Sequence, residues 1–223
     1  MFKNLLSFWK GKDFLSEVFG EFKTMLDDSE VMFRAVCDRL LENTDGPELK
    51  QSVYDIDQKV NLLQKSIRKR IVENLSLQPT VDVTACLVLM SVVKDAERLG
   101  DYCKNLYEVS EFLDKPIDRT FFDQYFDSIH EETLSLFGLT RDAFIGGDEE
   151  KGRAACRREL IKRCDKIVEE LARSDLTVNE AVCYALMARY FKRIIAHLVN
   201  IATSVVLPLS DLDYCDEENC SEE

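Results

Sequence analysis

Chain-breaking residues fall at five separated places in this sequence, and between them apolar side chains recur at steps of three and four. The breakers are 43–47 (Asn-Thr-Asp-Gly-Pro), 76–80 (Ser-Leu-Gln-Pro-Thr), 113–116 (Leu-Asp-Lys-Pro), 146–148 (Gly-Gly-Asp) and 173–177 (Arg-Ser-Asp-Leu-Thr), and Pro208 closes the last stretch. Strands joined by tight turns would need many more punctuating residues than the eight glycines and four prolines present, so the pattern predicts long helices, six of them. Val53, Ile56, Val60, Leu63 and Ile67 draw one stripe on the second, and Leu160, Ile161, Cys164, Ile167, Val168 and Leu171 draw another on the fifth.

Helices three (residues 81–93) and six (residues 182–188 and 194–206) are apolar around most of their girth, which places them in the middle of a bundle. Thr177 with Glu180 spells a capping box, and Asp118 is a candidate N-cap for the fourth helix. Short connections imply antiparallel neighbours. The order is three helices, a break, three helices, with the third of each set the most buried. An internal duplication is also visible residue by residue. Thr80-Val81-Asp82 matches Thr177-Val178-Asn179, and the Arg98, Leu99 and Asn105 frame matches Arg193, Ile194 and Asn200. The expected fold is all-α, two tandem antiparallel three-helix bundles at 1–115 and 116–207. Residues 208–223 are expected to form a disordered acidic tail.

Apolar residues make up 46% of the chain, enough for a core. A net charge of −13 repels phosphodiester backbones and anionic headgroups, so nucleic acid is excluded as a partner and membrane contact is at most peripheral. No run of apolar residues is long enough to span a bilayer. Residues 1–9 are apolar, with Lys3 and Lys10 among and beside them and no small-residue cleavage site. They either pack as a first turn or dock on a membrane or partner, and covering them is one reason to expect a homodimer. Six of eight cysteines (Cys37, Cys86, Cys103, Cys156, Cys164, Cys183) sit in helical apolar patterns, as reduced thiols do in a cytoplasmic protein. Cys215 and Cys220 lie in the tail without zinc-knuckle spacing.

Glu97, Asp101 and Asn105 rise at four-residue steps from one face of helix three, and Asp57, Asn61 and Gln64 run beside the stripe of helix two. If the two helices pack antiparallel, Asp57 and Asn61 come near Asp101 and Glu97, and oxygen ligands line one seam fit for a hard or borderline cation. His130 and His197 are read as packed or exposed side chains rather than ligands. Neither has a glutamate three residues before it, as a di-metal carboxylate enzyme would require. No nucleophile triad order or phosphate loop is present. The chain is therefore read as a non-enzyme.

Asp57-Gln58-Lys59-Val60-Asn61, with Glu97-Arg98-Leu99-Gly100-Asp101 and Asn105, resembles the first-repeat signature of the PhoU family. The Arg193-Ile194 and Asn200-Ile201-Ala202 frame resembles the second repeat, and Arg141-Asp142-Ala143-Phe144 also fits. The resemblance implies two side-by-side three-helix bundles and a regulator or accessory of phosphate uptake that binds a phosphate transporter, a sensor kinase or both. It also implies iron, zinc, manganese or magnesium on the acidic seams. For this chain the implied ligands are Asp57, Asn61, Glu97 and Asp101, with Asn105 as an outer contact. Gln64 replaces an acid common in relatives, which implies one or two ions rather than a full cluster. A metal-free helical adaptor is the alternative.

In the second repeat Lys192 and Ala196 stand at the Glu and Asp positions, and Arg157 and Arg163 at acidic positions of helix five. Metal is not expected there. Three readings stay open: the cations substitute for metal by pairing with Glu159, Asp165 or Glu169; they form an anion site for phosphate; or they are solvated charges.

Overall fold

The computed structural model describes residues 13–42, 47–77 and 83–212. Among them are eight α-helices and no strand: α1 (Asp13–Glu42), α2 (Pro47–Leu77), α3 (Val83–Phe112), α4 (Arg119–Phe126), α5 (Ile129–Gly146), α6 (Glu149–Ala154), α7 (Arg158–Leu171) and α8 (Val178–Thr203). A 3-10 turn follows at Leu209–Asp211. The apolar segment 1–9, most of the first two breakers, Cys215 and Cys220 lie outside the described residues.

Leu15, Val18, Phe22, Met25, Met32 and Val36 give α1 a buried stripe at helical spacing. α2 is an outer helix. Val53, Val60 and Ile67 of its stripe are buried, Ile56 and Leu63 sit half-buried at the stripe's edges, and Leu62 faces out. α7 is its counterpart in the second half, with Leu160, Cys164, Ile167 and Leu171 buried. The girdles of apolar residues on α3 and α8 do put these helices at the centre. They pack against each other, α3 also against α1 and α2, and α8 also against α5 and α7.

The halves share one core. Phe33 of α1 lies between Phe137 of α5 and Phe191 of α8, at ring-centroid distances of 5.5 and 5.7 Å. Phe22 meets Phe144 at 4.6 Å. Such pairs add about 0.5–1.5 kcal/mol each beyond their buried area.

Two of the expected six helices are subdivided. The fourth breaks at Asp127, whose φ of 47° places it outside helical geometry. The break lets α4 sink Phe122 and Phe126 into the core before α5 restarts at Ile129. Ahead of the fifth stands the short α6. Gly147, at φ 60°, ends α5 in the left-handed conformation that glycine adopts without strain, and the Asp148 carboxylate then accepts from the amides of Glu150 and Lys151. Gly152 lets α6 lie against the end of α8: a Cβ there would meet Val206 Cγ2 at 2.8 Å and the Ala202 carbonyl at 3.0 Å. The Thr177–Glu180 capping box is present, and Asp118 accepts from the amides of Thr120 and Phe121. The described part of the tail carries the 3-10 turn, and Leu212 packs on the core.

Cys37, Cys86, Cys103, Cys164 and Cys183 are buried, Cys156 is half-buried, and none of the six is in a disulfide. No helix among the described residues is long and apolar enough to cross a membrane.

Phe33→Ala removes the aromatic bridge between the halves. It should lower the unfolding free energy by about 3–5 kcal/mol, read from urea denaturation. A loss near zero would show that this bridge carries no stability.

Candidate functional site: a carboxylate groove between two helices

In the antiparallel pairing of α2 and α3, Gly100 faces Val60. A Cβ on Gly100 would stand 3.6 Å from Val60 Cγ1 and 3.9 Å from Asp57 Oδ1. This contact aligns the two oxygen ladders, and Asp57 and Asp101 do line one groove. They are joined by a residue that the sequence reading passed over. Lys104 Nζ donates to Asp57 Oδ2 at 2.9 Å and to Asp101 Oδ1 at 3.3 Å. The other oxygen of Asp101 accepts from Arg98 at 2.7 Å, and Glu97 lies 3.6 Å from the same guanidinium. Asn61, Gln64 and Asn105 are half-buried on the same faces.

Burial, then Asp101, then Asp57 raise the pKa of Glu97 above the usual glutamate value, against the opposing pull of Arg98 and Arg68. Partial burial pulls Lys104 down, but its bonds to Asp57 and Asp101 outweigh that and hold its pKa above the ordinary lysine value. Lys104 is therefore a cation held between Asp57 and Asp101.

This arrangement can be compared with what a metal would need. A cation bound through oxygen takes at least four ligands at about 2.0–2.6 Å. Here both oxygens of Asp101 and one of Asp57 already accept from cationic nitrogens. Among the described residues no three His, Cys, Asp or Glu side chains converge on a common point. As arranged, the ladder does not fit a metal. Thiolate ligation is no substitute: burial pushes the Cys37 and Cys103 thiols up, and that of Cys164 up to about 12.

In the second half Lys192, Arg157 and Arg163 are partnered. Lys192 of α8 donates to both oxygens of Asp165 on α7, at 2.7 and 2.5 Å. Arg157 and Arg163 both donate to Glu132, near the start of α5, at 2.8 and 2.5 Å, and Arg157 also pairs with Glu159. The expected partners Asp165 and Glu159 are thus in place, Glu169 faces solvent, and Glu132 was not foreseen. Burial alone would raise the Glu132 pKa, but Arg163, Ser128 and Arg157 together hold it below the usual range. Ala196 is half-buried on α8.

The two histidines differ. His130 is packed edge-on to Phe122, and burial lowers its pKa. His197 is a partner in a buried polar cluster. Its Nδ1 lies 2.7 Å from Oδ1 of Asp95, which Asn200 also approaches at 3.3 Å. The ring stacks on Tyr102 at 5.6 Å. Asp95 is completely buried between α3 and α8. A signal for it existed: Asp95 falls in the Val88, Val92, Leu99 stripe, where a charged side chain needs a buried partner.

A cavity of about 390 Å³ lies at the end of α3, away from the groove. Arg39, Lys115, Glu111 and Asp114 line it, so both charge signs are represented.

Residues 22–110 match the PhoU domain model. The chain is 26% identical over 194 residues to a phosphate-specific transport system accessory protein PhoU homolog of Synechocystis, covering 79% of this chain and 80% of that protein. Two solved structures share its fold. PhoU from Pseudomonas aeruginosa has a TM-score of 0.75 at 20% identity, over 86% of this chain and 95% of that one. The phosphate transport system regulatory protein PhoU from Streptococcus pneumoniae has a TM-score of 0.71 at 18% identity, over 87% and 95%.

Because the folded state disfavours ionised Glu97, ionisation costs stability at pH above the usual glutamate value, and the cost disappears below it. Glu97→Gln should therefore stabilise the protein near neutral pH by about 0.2–0.5 kcal/mol, the size of a like-charge helical pair. The gain should vanish under acid conditions. Paired thermal melts check it; a loss of stability at neutral pH would reverse the assignment.

Proposed function

We propose that this chain is a PhoU-family accessory or regulatory protein of phosphate uptake. It acts on the cytoplasmic side by binding a phosphate transporter, a sensor kinase or both, and it is not an enzyme. The observation that carries the reading is the extent of the likeness. Four fifths of the chain aligns with an accessory protein of phosphate-specific transport, and the fold of two PhoU structures covers 86% and 87% of it.

Protein binding suits the surface better than capture of a small anion. Lys192, Arg157 and Arg163, the cations at the motif positions of the second half, are already tied to Asp165, Glu132 and Glu159, which leaves little there for a phosphate ion to claim. Apolar side chains, in contrast, stand open where the two halves join. Phe112 is 59% exposed, Val178 81% and Val182 52%. The Asn179 amide fixes this joint by donating to the Phe112 carbonyl at 2.7 Å and accepting from the Asp114 amide at 3.1 Å. Rigid, exposed apolar groups of this kind are what a protein partner covers.

Deleting the gene in its host should raise uptake of labelled phosphate several-fold in phosphate-rich medium, and the intact gene should restore control. The protein should also co-purify with transporter or kinase components. A Phe112→Ser, Val178→Ser double variant, folded by circular dichroism, should lose that association. Unchanged uptake in the deletion strain would reject the reading.

A further inference from the structure

We propose that this chain's own lysines close both repeat seams in place of a metal ion, so that the protein keeps its architecture whatever the metal supply. One arrangement is made twice. In each half the central helix reaches across to the outer helix through a lysine ammonium that binds an aspartate. Lys104 of α3 joins Asp57 of α2 at 2.9 Å. Lys192 of α8 joins both oxygens of Asp165 of α7 at 2.7 and 2.5 Å. The helix pairs α2–α3 and α7–α8 are counterparts in the duplication, yet the two lysines stand at different positions along it. Lys192 takes the place that Glu97 holds in the first half, whereas Lys104 lies seven residues beyond Glu97.

The first seam is the decisive one, because it retains its carboxylates. Lys104 is only 20% exposed, Asp57 14% and Asp101 24%, so these charges face one another with little water between them. A divalent ion would have to displace the ammonium from Asp57 and Asp101 and Arg98 from the second Asp101 oxygen. It would then sit beside both displaced cations. Like charges at such range repel strongly in a half-buried groove. The second seam has an ammonium where the first has a carboxylate, so the obstacle there is built into the motif position itself.

The test uses the full-length protein and does not depend on the identity of any partner, so its failure leaves the phosphate-uptake reading standing. Wild-type protein is loaded with excess Mn²⁺ or Zn²⁺, desalted and assayed by elemental analysis, and thermal midpoints are taken with and without EDTA. The expected result is no stoichiometric metal and unchanged midpoints. One equivalent or more of retained metal, or a midpoint that EDTA lowers, overturns the proposal. Lys104→Met removes the ammonium but keeps a stem of similar length. It should bind Mn²⁺ or Zn²⁺ roughly tenfold more tightly than wild type by calorimetry, the order expected when the surroundings of a metal's ligands change. A folded Lys104→Met protein with no gain in affinity also overturns the proposal. If that variant does not fold, the wild-type EDTA and elemental measurements decide alone.

Discussion

The contact between α3 and α8 is the element on which the rest of the molecule leans. Each is the central helix of its half, so packing them together lets two small bundles share one core. Neither bundle alone would bury much surface, and small domains are marginal for that reason. The shared core is apolar through Phe33, Phe137 and Phe191, and Asp95 is the carboxylate buried within it. Asp95 is buried without any exposure and is held by His197 and Asn200 from the opposite half. A buried carboxylate without such partners would cost several kcal/mol. The cluster therefore favours the register in which α3 meets α8 at these residues, and a slip along the helices would orphan it.

The outer helices are held differently. α2 and α7 have narrow apolar stripes and rely on charged side chains at their edges. Arg70 pairs with Glu17, Lys59 with Asp28, Lys104 with Asp57 and Lys192 with Asp165. The first pair is largely solvated and adds little, as exposed pairs do. The Lys104 pair is more enclosed, with its side chains 20% and 14% exposed. The proposed partner surface lies elsewhere, around the exposed Phe112 and Val178 where the two halves meet.

Much was legible before any coordinates. The breakers mark the ends of the long helices because glycine and proline act locally, through backbone freedom and a missing amide. The Thr177–Glu180 box and the Asp118 cap are likewise local contacts. The stripe on α2 and the all-round apolar faces of α3 and α8 sort outer from central helices because burial follows helical period. Even the meeting of Asp57 with Asp101 follows from antiparallel packing of two faces already marked by their residues.

Other features depended on the tertiary fold. The kink at Asp127 and the short α6 arise where Phe122, Phe126 and Gly152 must fit a core contributed by distant helices, and no local pattern encodes that fit. A lysine three residues from Asp101 reads as a solvated charge until α2 brings Asp57 within 2.9 Å of its ammonium. Asp95 and His197, 102 residues apart, are an odd aspartate and a lone histidine until α3 and α8 cross. The sequence by itself determined which stretches coil and which faces turn inward, because those depend on neighbours a turn away. Only the packed molecule decided which charges neutralise one another, because that depends on distances of a few ångströms between helices remote along the chain.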